Sequence, residues 1–195
     1  MKPLEVLLAR QRSIRVVGFD DAPFVRKRGS PVGVAGVVCA DTRMEGMLWG
    51  RVTKDGLDAT EVLCRLLGES KFYEQVHLVL IDGLAVGGFN LIDLPEMAHQ
   101  LSRPCVAVMR TSPDLAAVKR ALTRFEDAEA RRALLKRGGA IHHREGFYFQ
   151  VAGATPDVIG RALSRLTDRG RVPEALRLAH LIGRAVILGE SGRRA

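Results

Sequence analysis

Two apolar runs constrain this chain most. Val76-His-Leu-Val-Leu-Ile-Asp82 and Pro104-Cys-Val-Ala-Val-Met109 are short and show almost no alternation of polar and apolar side chains. A strand with one wet face alternates with period two, so runs this apolar need cover on both faces. Each reads as an interior strand of a sheet lying between helices. Upstream are three further β-like runs: Ile14–Asp20, Val32–Ala40 and Gly46–Thr53. Gly, Pro and Asp punctuate the gaps, as hairpin connections require. Helical spacing then takes over at Leu57, Val62, Leu63, Leu66 and Leu67, with Gly68 as a stop. Pro95–Leu101 reads as a short helix, and Pro113 opens another that runs to about Phe125.

Three meander strands followed by α-β-α-β-α predict an α/β fold with helices on both faces. One layout satisfies the crossover rules: a mixed five-stranded sheet in the order 3-2-1-4-5, with the fourth strand parallel to the first and beside it. That is the ribonuclease H-like architecture. A flavodoxin-like sheet needs helices between the first three strands, and the gaps there are too short and polar. Residues 1–125 form the expected core. Residues 126–195 form a basic C-terminal extension packed on it, within a single domain. In the extension, Glu126–Arg137 is a charged helix. Ala140–His143 and Phe147–Val151 are either a hairpin or added edge strands. Thr155-Pro156 starts a helix, and a last one runs from about Pro173 to Leu188.

The 195 residues carry 47% hydrophobic and 27% charged side chains, which excludes a disordered chain. The apolar stretch Val32–Ala40 falls far short of the roughly 20 residues that span a bilayer. No membrane association is expected. The N-terminal run is broken by Glu5 and Arg10, unlike a signal peptide. Three scattered cysteines, Cys39, Cys64 and Cys105, point to a reducing compartment, so the expected localisation is cytoplasmic. The formal net charge is +8. It is uneven: 12 basic and 13 acidic side chains in residues 1–102, but 18 and 9 in residues 103–195. A basic half suits a polyanionic partner. A generally arginine-rich surface would give the same count, and charge alone does not separate the two.

Asp20 ends the first strand and Asp82 the fourth. If those strands are parallel neighbours, both carboxylates emerge at the carboxyl edge of the sheet, where open α/β sheets place their sites. Like charges brought together repel unless a cation neutralises them. Hard ions such as Mg²⁺ or Mn²⁺ take oxygen ligands, and a pair of them about 3.5–4 Å apart can clamp a phosphodiester. Asp21, Asp55, Asp58 and Asp93 lie nearby in sequence. Any one of them is explained equally well by turn or cap chemistry. The case rests on several meeting at one edge.

Gly18-Phe-Asp-Asp-Ala-Pro-Phe24, Val52–Glu61, Leu80-Ile-Asp-Gly83, Gly88–Asp93 and Pro173–Ile182 together resemble the archaeal endonuclease dU family, over nearly the whole chain. That family is a relative of endonuclease V, which is ribonuclease H-like, uses Mg²⁺ and nicks nucleic acid near a deaminated base. The resemblance implies that Asp20 and Asp82 are metal-binding catalytic acids. It implies that Asp55, or Asp58 in its place, is the third acid, and that Arg110 replaces a lysine after the fifth strand. The implied reaction is hydrolysis of nucleic acid carrying a deaminated base, deoxyuridine in DNA first and RNA second.

The remaining candidates are contacts to nucleic acid. Gly88 and Asn90 sit in a Gly-rich loop after Asp82 that either admits a base or is a plain turn. Arg131, Arg132, Lys136 and Arg137 either follow a phosphate backbone or form a solvated helical face. The rival from another class is a binding module of the same fold without catalysis, or a structural partner in a repair or tRNA-processing assembly. A catalytic site needs three carboxylates within ligand reach of one point; a binding module does not.

Overall fold

A computed structural model describes residues 2–192. The strands are β1 (Arg15–Asp21), β2 (Pro31–Ala40), β3 (Arg43–Thr53), β4 (Leu78–Asp82), β5 (Ala85–Val86), β6 (Asn90–Leu91), β7 (Cys105–Met109), β8 (His142–Arg144) and β9 (Phe147–Ala152). The helices are α1 (Leu4–Ala9), α2 (Ala59–Gly68), α3 (Leu94–Leu101), α4 (Leu115–Leu122), α5 (Ala128–Arg137), α6 (Pro156–Arg165) and α7 (Glu174–Leu188). A 3₁₀ turn occupies Tyr73–Gln75.

The main sheet has seven strands in the order β3-β2-β1-β4-β7-β9-β8. This corrects the expected five-stranded sheet. The hairpin of β8 and β9 pairs antiparallel with the outer edge of β7, from Cys105↔Ala152 to Met109↔Tyr148. Phe147 and Phe149 point to the face that also carries Leu80, Val106 and Val108, and all five are buried together. Burying those two rings drives the hairpin into the sheet, by about 1.5–3 kcal/mol for each large apolar side chain. Residues 126–192 thus supply two strands of the sheet and two helices that pack on it.

Alternation sorts the side chains onto two faces. Val16, Leu78, Leu80, Val106 and Phe149 pack under α1, α6 and α7. Val17, Phe19, Val79, Ile81 and Ala107 pack under α2 and α3. A satellite cluster of Leu91, Leu122 and Leu135 ties β6 to α4 and α5. Helix starts are local chemistry. Asp93 accepts from the Glu96 backbone N–H at 3.3 Å to cap α3, and Asp114 accepts from the Ala117 N–H at 2.9 Å to cap α4.

Two features aim the site. β1 and β4 are parallel, in register through Phe19↔Ile81. Asp20 and Asp82, each one residue further on, therefore leave the same face of adjacent strands. Helix α7 lies unusually close over β1. A Cβ on Gly18 would sit 2.7 Å from the Ala175 carbonyl carbon and the Leu176 nitrogen. A Cβ on Gly183 would come within 3.1 Å of the Ala22 backbone. The absent side chains at those two points let the helix settle onto the strand, and His180 lies between them in sequence.

Candidate active site

Asp20 is 7% exposed. Its Oδ1 accepts from the Asp21 N–H at 2.8 Å, and its Oδ2 lies 2.9 Å from His180 Nδ1. Burial, then repulsion from Asp82 and Asp21, raises the Asp20 carboxyl from 3.8 to about 8. The His180 imidazole is held below its usual value by burial and by the Arg110 and Arg184 guanidinium groups, against an opposing pull from Asp82. Asp82 Oδ2 accepts from Arg110 Nη2 at 3.3 Å. Register explains that pair: Asp82 lies beside Val108 of β7, and Arg110 is two residues beyond, on the same face.

Asp21 points to the opposite face. Its Oδ2 accepts from the Gly87 N–H at 2.6 Å and so ties the strand end to the β5–β6 hairpin. Burial raises its carboxyl as well. That hairpin walls a cavity of about 380 Å³, lined by Asp82, Gly83, Gly88, Phe89, Met109 and Arg110 among others. The cavity is mostly apolar, opens beside Asp82 and Arg110 and is large enough for one planar ring system. Gly88 reaches it in a left-handed conformation, φ +87°.

Asp20, Asp82 and Arg110 therefore come together as expected. His180 joins them, although it carried no role in the sequence reading. Its only signal there was its place in the Pro173–Ile182 stretch, as a polar side chain amid apolar neighbours. The other expected acids do not join. Asp55 is paired with Lys54 and accepts from the Phe89 N–H at 2.9 Å. Burial pushes its carboxyl up, but Lys54, the Phe89 N–H and Arg131 outweigh that and leave it below the usual range. Asp58 accepts from Thr53 Oγ1 at 2.8 Å and from Asn90 Nδ2 at 2.6 Å. Its carboxyl is likewise held low by these donors against the effect of burial. Both acids satisfy loop donors. Among the described residues, no three His, Cys, Asp or Glu side chains converge to hold a metal ion. The expected third carboxylate is absent from that set.

The expected nucleic-acid contacts divide. Gly88 lines the cavity. Asn90 is fully buried: its Oδ1 accepts from the Ala59 N–H at 3.0 Å, and its Nδ2 donates to the Thr53 carbonyl at 2.9 Å. Arg131 is 1% exposed and serves the fold. Arg137 reaches Asp93 at 3.0 Å. Arg132 is paired with Glu129, and with Lys119 and Lys136 it borders a separate groove between α4 and α5.

A UPF0215 protein of Methanosarcina barkeri is 38% identical over 186 residues, covering 93% of this chain and 95% of the relative. A UPF0215 protein of Methanothermobacter thermautotrophicus is 39% identical over 183 residues, covering 91% and 90%. The family model described as Endonuclease dU matches residues 12–187. The chain belongs to the Endonuclease dU family. A crystal structure of an Archaeoglobus fulgidus protein of unknown function superposes with a TM-score of 0.84 at 34% identity, covering 89% of this chain and 98% of that one. Endonuclease V of Ciona intestinalis, solved with a 24mer DNA containing an inosine followed by a ribo-adenosine, gives 0.59 at 13% identity and 92% and 88% coverage. Bacillus subtilis endonuclease V gives 0.56 at 13%, covering 95% and 90%. The Endonuclease dU fold is thus endonuclease V-like: an α/β sheet of seven strands flanked by helices. Among the described residues no helix is long and apolar enough to cross a membrane.

Proposed function

We propose that this chain is a metal-dependent endonuclease that hydrolyses a phosphodiester beside a deaminated base, with deoxyuridine in DNA as the first substrate. Family membership and the endonuclease V-like fold support the nuclease reading. The observation that carries it is the Asp20–Asp82 pair at the sheet edge, opening beside a base-sized cavity.

The donor set fits a hard divalent cation. Mg²⁺ characteristically takes one or two carboxylates and fills its remaining positions with water and substrate phosphate. Two carboxylates on adjacent strand ends, one forced toward its neutral form by burial and then by repulsion from its neighbours, are the protein share of such a site. Asp20 and Asp82 would hold the ion. When bound, it would make an attacking water acidic and neutralise charge on the phosphate.

The chain's own groups do the remainder. Arg110 is exposed, faces Asp82 and offers its other guanidinium N–H groups to a phosphate oxygen. Asp20 engages His180 through Nδ1, so Nε2 is the imidazole nitrogen left to move a proton. Its lowered pKa keeps that ring neutral at pH 7, and Nε2 can accept a proton when Asp20 is ionised and accepts the hydrogen carried on Nδ1. The cavity beside Gly88 and Phe89 receives the base, which must leave the stack to be read.

The test is a labelled oligonucleotide panel carrying uracil, hypoxanthine, xanthine or no lesion, with Mg²⁺, Mn²⁺ or chelator. The uracil strand is expected to be cut above the undamaged control, and only with metal. Arg110→Ala is expected to slow cleavage by about 10²–10³, as for other lost electrostatic donors. If every strand is bound and none is cut with either metal, the chain is a non-catalytic binding module.

A further inference from the structure

Helix α7 carries a second cation to the carboxylate edge. Its Ala175 and Leu176 lie against Gly18, and its Gly183 lies against Ala22, so α7 runs parallel to β1. Ala175 to Gly183 rises about 12 Å as helix, and Gly18 to Ala22 about 13 Å as strand, so the two stay in step. Arg184 therefore lies level with the end of β1, one turn or about 6 Å outward of His180 on the same helix face. Helix α7 packs over β1 and β2, whereas Arg110 leaves the end of β7. In the order β2-β1-β4-β7, the two guanidinium groups bracket the Asp20–Asp82 pair from opposite sides. Both act on His180 between them: after burial, Arg110 and then Arg184 hold its imidazole low.

Nothing in the fold uses this side chain. Among the described residues Arg184 takes part in no ion pair, and its Nε is buried without a hydrogen-bond partner. The chain turns at Gly189, in a left-handed conformation with φ +82°, and brings Gly192 over the arginine stem. A Cβ on Gly192 would sit 2.6 Å from Arg184 Nε and 3.3 Å from its Cδ. The residue as a whole is half-buried, so the fork keeps its open side at Nη1 and Nη2.

A covered charged donor without an acceptor is destabilising, and so is a second cation beside Arg110. An anion at the fork offsets both. Phosphate suits it, because a planar guanidinium gives phosphate oxygens two parallel N–H bonds. The outward offset of about 6 Å makes this a different phosphate from the one at the carboxylates. Phosphates of one strand follow at about 3.4 Å of axial rise, so the offset corresponds to one or two nucleotides.

We propose that Arg184 grips a second phosphate of the substrate strand, one or two nucleotides from the phosphate at the Asp20–Asp82 edge, and so selects strands that continue past the cut. The proposal rests on the nuclease reading for the position of the first phosphate.

The experiment uses the full chain in chelator, so that nothing is cut. The probes are labelled duplexes with one uracil, each carrying a single neutral methylphosphonate at a different position near it. Arg184→Met is expected to bind the unmodified duplex about tenfold more weakly than wild type, as for a lost charge-assisted contact. Its slope of log affinity against log salt is expected to be shallower by about 0.9, one phosphate contact. A methylphosphonate at one position is expected to weaken wild type and leave Arg184→Met unchanged, while the other positions act on both alike. That coupling reports a contact, which a merely structural role would not produce. Arg184→Lys recovers part of the affinity. Arg12→Met, an exposed charge lost before β1 at the opposite edge, is expected to stay within about twofold. Thermal unfolding checks each variant, and Arg184→Gln takes the place of Arg184→Met if methionine unfolds the chain. The proposal is overturned if the variant binds like wild type, or if every methylphosphonate weakens the two equally. A wild type that binds no duplex overturns it as well. A chain that shows the coupling but cuts nothing in the oligonucleotide panel loses only the nuclease reading. One that cuts the panel without the coupling loses only the role of Arg184.

Discussion

Asp20→Asn is expected to yield a protein that is inert in cleavage and more stable than wild type at pH 8 in chelator. The native carboxyl titrates at about 8, the ordinary one at 3.8. Between those values the folded chain holds a proton that the unfolded chain releases. The stability contributed by this group is therefore complete below pH 3.8, falls as pH rises, and is gone above about 8. Asparagine is neutral throughout. It keeps an oxygen for the Asp21 N–H and an amide N–H for His180 Nδ1, so the local hydrogen bonds survive. At about 1.4 kcal/mol per pKa unit, the gain at pH 8 is on the order of a few kcal/mol. A chain of this size gains roughly 2–4 °C in melting temperature for each. Thermal unfolding at pH 5 and pH 8 checks this. The variant should lead by several degrees at pH 8 and by much less at pH 5. A variant that trails wild type at both would show that the burial penalty and repulsion assigned to Asp20 are absent.

Arg131→Met is expected to have the largest destabilising effect. The buried guanidinium donates to the carbonyls of Asp55 at 2.7 Å, Gly56 at 3.1 Å and Phe89 at 2.6 Å. It also spans both oxygens of Asp127, at 2.7 and 2.9 Å, and lies 4.3 Å from the Phe125 ring centroid. One side chain thus joins α5 to the loop after β3 and to the hairpin that walls the cavity. Methionine fills much of the volume but strands three carbonyls, while Asp127, 31% exposed, can turn to water. Leaving buried acceptors without a donor costs on the order of 1–3 kcal/mol each. Arg132→Ala, one residue along on the solvent side, is expected to change stability by about 0.5 kcal/mol or less. Urea unfolding of the two variants compares them. A loss below about 1 kcal/mol for Arg131→Met would contradict the assigned role.

Arg131 also shows why part of the site was hidden in the sequence. In Ala-Glu-Ala-Arg-Arg-Ala-Leu-Leu-Lys-Arg it is one of four cations on a charged helix. Its burial depends on carbonyls from residues 55, 56 and 89, which only the folded chain brings within reach. Asp55 and Asp58 misled for the same reason. They lie near the expected edge in sequence, but backbone and side-chain donors from residues 53, 89 and 90 claim their carboxylates. Strand ends were easier to read. Apolar runs fixed β4 and β7 as interior strands, and parallel pairing with β1 then placed Asp20 beside Asp82 without any long-range guess. His180 meets Asp20 across 160 residues. No spacing rule spans that distance, and the close approach at Gly18 and Gly183 that seats α7 reads in sequence as two ordinary glycines. The β8–β9 hairpin was visible as apolar residues. Which strand it would join was not, because that depended on which edge of β7 was left open.

The central claim is that Asp20 and Asp82 together form the protein half of a divalent-cation site. Titration calorimetry with Mn²⁺ on the full chain tests it most directly. Wild type should bind Mn²⁺, and Asp20→Asn and Asp82→Asn should each abolish that binding while both variants remain folded. Unchanged Mn²⁺ affinity in both variants would contradict the claim.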